Sequence, residues 1–294
     1  MKDIIFKGCA TALVTPFTDD GNIDFEELRK LIEFQIFEGV DSLVICGTTG
    51  ESATMSTEEK KEVIKFAVQI ARKRIPIIAG TGGNNTKNVI ELSKYAESVG
   101  VSALLLVSPY YNKTTQEGLI THYMEVAQNT NLPIILYNVP SRTGINIDPF
   151  TCFELSKIDN IVAIKEASGN ISQAAKIASL CKDNLAIYSG NDDSIIPILS
   201  LGGLGCISVL SNLYPKFVHN MVNEYLNGNT RKALDMQLHS IDLIGSLFCE
   251  VNPIPIKYAM NYIGFKCGNP RLPLIELSDS GKQKVITSIK KFDY

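Results

Sequence analysis

Eight short apolar runs recur at near-regular spacing along this chain, and all but the last end in Gly, Pro or Ser. They are continuously apolar rather than alternating, which is typical of strands buried on both faces, as in a parallel sheet. The runs are ATALVTP (10–16), SLVICG (42–47), IPIIAG (75–80), ALLLVSP (103–109), PIILYNVP (133–140), IVAIKEAS (161–168), LAIYSG (185–190) and CISVL (206–210).

Helical patterns fill the intervals between these runs. Residues 25–37 place apolar side chains on one stripe, and residues 56–73 open with Ser56 or Thr57 as N-cap and Glu59 as the capping-box acid. Strict β/α alternation allows an open doubly wound sheet or a closed barrel. The count of eight and the absence of G-x-G-x-x-G favour an α/β fold of the (β/α)8 TIM barrel type.

The strand–helix units occupy about residues 1–225, which we expect to form the catalytic barrel. Residues 226–294 show three further helical patterns and no strand pattern. We therefore expect a C-terminal helical extension that packs on the barrel.

Composition excludes several classes of function. With 28 Lys+Arg against 31 Asp+Glu, the net charge of -3 gives no electrostatic footprint for nucleic acid. Seven Cys without a C-x-x-C pair and only three His indicate reduced thiols and no metal site. The apolar runs are too short to span a membrane. The segment before Cys9 resembles a signal peptide, but Asp3 and Lys7 interrupt it and leave no apolar core. We expect a cytoplasmic protein.

Lys165 is the first candidate for chemistry, because it lies near the end of the sixth run, where barrel enzymes place catalytic groups. Ala163 and Ala167 share its face of the strand, and Glu166 points the other way. Desolvation favours the neutral amine, which attacks carbonyl carbons. The alternative is a surface lysine at a strand end.

Other candidates follow neighbouring runs. Tyr137, one strand earlier, can reach a group formed on Lys165 and shuttle protons, although core packing also explains it. Arg142 suits a carboxylate or simply a solvated loop. Thr48 and Thr49 suit an anionic group or ordinary turn chemistry. Two doublets are weaker: Tyr110–Tyr111 as an interface patch, and Asp192–Asp193, which suggest paired acids but which we interpret as a helix cap.

Five motifs in chain order carry a more specific signal than any single residue. They are GTTGES (47–52), SPYYNK (108–113), YNVPSRTG (137–144), IKEASG (164–169) and SGND (189–192). With them, the whole chain resembles the dihydrodipicolinate synthase family of the pyruvate-dependent class I aldolase superfamily. The resemblance implies condensation of pyruvate with aspartate semialdehyde to 4-hydroxy-tetrahydrodipicolinate, in the diaminopimelate route to lysine.

The resemblance also implies roles for the matched positions. Lys165 would carry a covalent pyruvate Schiff base, without metal or organic cofactor. Tyr137 would relay protons with Thr49 and with Tyr111 of the partner subunit, in a homotetramer built as a dimer of dimers. The remaining positions would contact substrate: Thr48 and Thr49 the pyruvate carboxylate, Arg142 the aldehyde carboxylate, and Gly190 and Ile207 the surroundings of the Schiff base through their backbones.

Two other functions fit parts of this pattern. An N-acetylneuraminate lyase or keto-sugar-acid aldolase of the same superfamily shares the Lys and Tyr but typically lacks the Arg found here at 142. A non-catalytic ligand-binding relative needs no amine nucleophile. The intact set of residues favours the synthase.

One departure from the family concerns regulation. Lysine-inhibited members offer a His and a Glu to the inhibitor in a pocket beside the position of Tyr110, and the matching places here hold Lys60 and Asn88. Lys60 would place a second positive charge beside the ε-ammonium of a bound lysine, and Asn88 removes the carboxylate that would offset that charge. We expect weak or absent inhibition by lysine.

Overall fold

The computed structural model describes residues 2 and 4–293, and its eight strands form a closed parallel barrel in chain order. The first strand pairs with the last, with Cys9 opposite Cys206. This confirms the barrel over the doubly wound sheet. The strands are β1 (Gly8–Ala12), β2 (Ser42–Ile45), β3 (Ile77–Gly80), β4 (Ala103–Val107), β5 (Ile134–Asn138), β6 (Ile161–Glu166), β7 (Ala186–Ser189) and β8 (Gly205–Ser208).

Twelve α-helices lie in the described part of the chain, and each of the eight strands is followed by at least one. They are α1 (Phe25–Phe37), α2 (Thr57–Ala71), α3 (Thr86–Ser98), α4 (Gln116–Ala127), α5 (Pro140–Thr143), α6 (Pro149–Leu155), α7 (Ile171–Cys181), α8 (Ile195–Ser200), α9 (Pro215–Leu226), α10 (Thr230–Leu247), α11 (Ile254–Tyr262) and α12 (Asp279–Lys291).

The helix ends follow local chemistry that the sequence displays. Ser56 accepts from the Glu59 backbone N–H while the Glu59 carboxylate accepts from the Ser56 N–H, so the predicted capping box at the start of α2 is confirmed. Helix α3 ends just before Gly100, whose φ of 88° lies in the left-handed region that glycine tolerates.

Two apolar layers make the core, one inside the barrel and one between barrel and helices. Along β5, Ile134 and Leu136 face the helices, whereas Ile135 and Tyr137 face the barrel interior. Because side chains alternate along a strand, this parity directs Tyr137 inward. On β6 and just after it, the interior layer contains the small residues Ala163 and Ala167, which leave room for a site at the carboxyl ends of the strands.

The last three helices are joined to the barrel by packing and by buried polar contacts. Lys257 of α11 lies 2.8 Å from the Glu51 carboxylate, and both side chains are only 1% exposed. Helix α9, which precedes these three, contacts the chain before β2 through His219 and Asp41 at 2.8 Å. Among the described residues, none of the helices combines the length and the apolar character that crossing a bilayer demands.

Candidate active site

Lys165 and Tyr137 stand side by side at the carboxyl ends of β6 and β5. They are register partners across the two strands, and Lys165 Nζ lies 4.3 Å from the centre of the Tyr137 ring. Each is only 6% exposed. Ala163 and Ala167 belong to the same interior layer as Tyr137, so the amine sits among small apolar groups. An amine at this place is a candidate nucleophile for a carbonyl carbon.

Glu166 faces away from this amine, as the alternation of the strand predicts. Its carboxylate accepts from Asn138 Nδ2 at 3.0 Å and from the Ser168 N–H at 2.7 Å. Gln173 Nε2 of α7 is a further donor at 3.4 Å. Glu166 thus holds the β6 end in place from outside the barrel and does not join the site.

Gly190 and Ile207 lie at the ends of β7 and β8, on the side of the barrel that holds Lys165. A Cβ at Gly190 would lie 3.1 Å from Lys165 Cγ and 2.6 Å from the Ala167 Cβ, so only glycine fits beside the lysine stem. Ile207 is 1% exposed and belongs to the interior layer. The structure therefore gathers both residues with Lys165 and Tyr137.

Thr48 and Thr49 lie in the turn that follows β2. The turn is closed by the Glu51 N–H, which donates to Thr48 O at 3.0 Å, and Cys46 and Glu51 flank it with φ values of 57° and 55°. Thr49 is 2% exposed and Thr48 is half-buried. The turn is anchored to helix α11, because Glu51 forms the buried pair with Lys257.

Arg142 lies on α5, directly after the Tyr137 strand. Its guanidinium is exposed, and Nη2 donates to the backbone oxygen of Asn252 at 3.2 Å. Gly144, with a φ of 71°, ends the short helix and turns the chain away. The remaining guanidinium donors are available to a bidentate acceptor such as a carboxylate.

Tyr111 does not join the site of its own chain. Its side chain is 93% exposed, and its φ of 69° is unusual for a bulky residue. Tyr110, its neighbour, is 38% exposed, and its backbone oxygen accepts from Asn84 Nδ2. Tyr111 therefore projects away from the site of its own chain, and its backbone adopts a strained loop conformation.

The interpretation of Asp192 as a helix cap was wrong. Neither the turn at 192–194 nor α8 has a side-chain cap, and Asp192 Oδ2 instead accepts from the N–H groups of Val209 and Leu210 after β8, at 3.0 and 2.8 Å. Burial raises the pKa of Asp192, and hydrogen bonds together with the nearby Lys165 ammonium lower it by less. Asp192 thus ties the β7 and β8 ends together near the amine.

Sequence reasoning also missed Asn252, between α10 and α11. It is 5% exposed, and its Nδ2 donates to Thr49 Oγ1 at 3.0 Å. The only local signal is a polar residue in the apolar stretch VNPIP. Beside the site, a cavity of about 460 Å³ opens between the ends of β6 and β7 and helix α10. The described residues contain no cluster of three or more His, Cys, Asp or Glu that would ligate a metal.

Comparison with known proteins gives one consistent result. Residues 5–292 match the dihydrodipicolinate synthetase family. The chain is 56% identical over 288 residues to 4-hydroxy-tetrahydrodipicolinate synthase 1 of Clostridium acetobutylicum, covering 98% of both.

Solved structures agree in fold and in sequence. The chain is similar to a chloride-inhibited dihydrodipicolinate synthase from Acinetobacter baumannii complexed with pyruvate, with a TM-score of 0.96, 41% identity and coverage of 98% and 99% of the two chains. It is also similar to the enzyme of Cyanidioschyzon merolae with lysine bound, with a TM-score of 0.95, 36% identity and the same coverage.

Proposed function

Because the chain belongs to the dihydrodipicolinate synthetase family, we propose that its reaction runs through a Schiff base between Lys165 and pyruvate. The activity is that of a 4-hydroxy-tetrahydrodipicolinate synthase, a lyase of the diaminopimelate route to lysine. Its substrates are pyruvate and L-aspartate 4-semialdehyde. The observation that carries the residue assignment is the buried amine of Lys165 against the face of Tyr137.

The chemistry proceeds through imine formation, carbon–carbon bond formation and ring closure. Lys165 Nζ attacks the carbonyl carbon of pyruvate, and loss of water leaves a protonated imine. The imine nitrogen accepts electrons when a methyl proton leaves, which gives an enamine. The enamine carbon attacks the aldehyde, whose oxygen takes up a proton. The amino group of the adduct then adds to the imine carbon and expels Lys165, closing the ring and returning the free amine. No metal or organic cofactor takes part.

We assign the proton transfers to hydroxyl groups. Tyr137 adjoins the amine, and Thr49 lies buried in the neighbouring turn. Tyr111 is too exposed to serve its own site, so we propose that Tyr111 of the partner subunit completes the relay. This requires a homo-oligomer, for which we propose a tetramer built as a dimer of dimers.

We assign the substrate contacts to the groups that surround the amine. Thr48 and Thr49 hold the pyruvate carboxylate through hydroxyl and backbone donors, and the exposed fork of Arg142 binds the carboxylate of the aldehyde. The backbones of Gly190 and Ile207 line the Schiff base. We place the enzyme in the cytoplasm, since all seven cysteines are free thiols.

Trapping by borohydride tests the proposal. Reduction in the presence of pyruvate converts an imine into a stable secondary amine, which peptide mass mapping locates. We expect a single adduct, on Lys165, and none in Lys165→Arg, whose guanidinium is not nucleophilic. An unmodified Lys165, or an adduct on another lysine, contradicts the assignment. A coupled assay with aspartate semialdehyde, run beside N-acetylmannosamine, should show turnover with the first aldehyde only.

A further inference from the structure

Asn252 joins the two halves of the active site from the helical region after the barrel. Its Nδ2 donates to Thr49 Oγ1 at 3.0 Å, and its backbone oxygen accepts from Arg142 Nη2 at 3.2 Å. It is 5% exposed, and it lies between α10 and α11, far along the chain from both partners. We propose that Asn252 is a positioning residue that sets the direction of proton transfer through Thr49, an inference that rests on the proposed relay.

The number of hydrogen bonds that a hydroxyl can form supports this role. A threonine hydroxyl offers one donor proton and two acceptor lone pairs. The Asn252 amide occupies one lone pair, because an NH2 group can only donate. One donor and one acceptor remain, which is the number that Thr49 needs to receive a proton from one phenol and pass its own to another.

The other end of the same amide agrees with this role. Asn252 Oδ1 is buried and has no hydrogen-bond partner among the described residues. An unsatisfied buried acceptor costs free energy, so a residue kept only for packing would be expected to avoid it. The arrangement instead directs the donor end of the amide to Thr49.

The contact with Arg142 comes from the backbone and therefore survives side-chain substitution. Changes at the Asn252 side chain thus act on Thr49 without removing the support of the aldehyde site. Exchange of the pyruvate methyl protons with deuterated solvent, followed by NMR, needs no aldehyde at all. It reports the relay separately from Arg142.

Two substitutions distinguish direction from packing. Asn252→Asp keeps the shape but offers only acceptors, so it claims the single proton of Thr49, and we expect methyl exchange to slow about 10- to 100-fold. Asn252→Ala leaves a cavity but frees a lone pair, and we expect a loss of only about 3- to 10-fold. A purely steric role predicts the reverse order, because the isosteric change disturbs packing least, and the cost of burying the new carboxylate is separated by the double-mutant cycle below.

A double-mutant cycle with Thr49→Val decides the mechanism. Once the hydroxyl is gone, Asn252→Asp should slow exchange by less than about 3-fold further. Wild-type exchange in Asn252→Asp, or an equal loss in both backgrounds, overturns the inference and leaves the proposed function standing. Wild-type exchange in Thr49→Val refutes the relay itself. Should Asn252→Asp fail to fold, the same cycle with Asn252→Ala applies, and its smaller loss must also vanish without the hydroxyl.

Discussion

Gly190 is the position where one added methyl group should most disturb the reacting amine. It follows β7, and its N–H donates to Glu166 O at 2.8 Å. A Cβ at this position lies 2.6 Å from the Ala167 Cβ and 3.1 Å from Lys165 Cγ. Both neighbours belong to the strand end that presents the nucleophile. Gly190→Ala therefore presses directly on Lys165.

The size of the effect follows from these distances. Carbon atoms in contact rest about 3.5–4.0 Å apart, so the β6 and β7 ends must separate by about 1 Å. A displacement of about 1 Å at a reacting group can cost about 100-fold in rate, equivalent to about 2.7 kcal/mol of transition-state stabilisation. Overpacking also costs about 1–3 kcal/mol of stability. We expect kcat to fall about 100-fold and the unfolding midpoint to decrease.

Steady-state kinetics, the rate of borohydride trapping and denaturant unfolding measure these effects together. Gly83→Ala is the matched control, since a Cβ there meets only Val89 Cγ2, at 3.5 Å, and should leave all three unchanged. Adding Ala167→Gly to Gly190→Ala removes the shortest contact and should restore part of the trapping rate. Wild-type kinetics in Gly190→Ala, or no recovery in the double variant, would refute the steric argument.

Three further predictions concern regulation, stability and pH. Lysine at sub-millimolar concentration should not inhibit the enzyme. Burial lowers the pKa of Lys60 in a cavity of about 350 Å³, which already disfavours an ammonium group, and Asn88 supplies no carboxylate. Introducing Lys60→His with Asn88→Glu should create inhibition, whereas strong inhibition of the wild type in a steady-state assay would contradict the prediction. Lys257→Met leaves the buried carboxylate of Glu51 without its partner and should lower the free energy of unfolding in urea by about 3–5 kcal/mol. Adding Glu51→Gln should recover much of this loss. A loss below about 1 kcal/mol in Lys257→Met would mean that the pair does not anchor the turn after β2. The Asp41 carboxylate raises the pKa of the His219 imidazole by hydrogen bonding, so the stabilisation from this pair is fully present below the unfolded-state pKa and is lost as pH rises through the folded-state pKa. His219→Gln should therefore lower the free energy of unfolding by roughly 1 kcal/mol at pH ~6 and by less at pH ~9. An equal loss at both pH values would show that protonation of His219 contributes nothing.

Much of the site could be predicted because it follows from strand periodicity and strand order. The continuous apolar runs show that the strands are buried on both faces, and alternation places Lys165 and Tyr137 on the interior side. Since successive parallel strands of a barrel are neighbours, the two residues had to lie together, and they are register partners.

Asp192 shows where local patterns mislead. An acidic doublet before a short helix has the same appearance whether it caps that helix or reaches the end of the neighbouring strand. The choice depends on the N–H groups of Val209 and Leu210, which are left without strand partners only where β8 ends. The prediction failed because the competing N–H donors lie at the end of another strand.

The sequence by itself determined the barrel, the inward direction of Lys165 and Tyr137, and the small neighbours of the amine, because burial and periodicity are written within a few residues of each position. Only the tertiary structure decided that Asn252 reaches Thr49, 203 residues away along the chain, and that its backbone supports Arg142. Such contacts arise from closure of the barrel and docking of the later helices. Their geometry depends on the packing of distant surfaces, for which no local pattern exists.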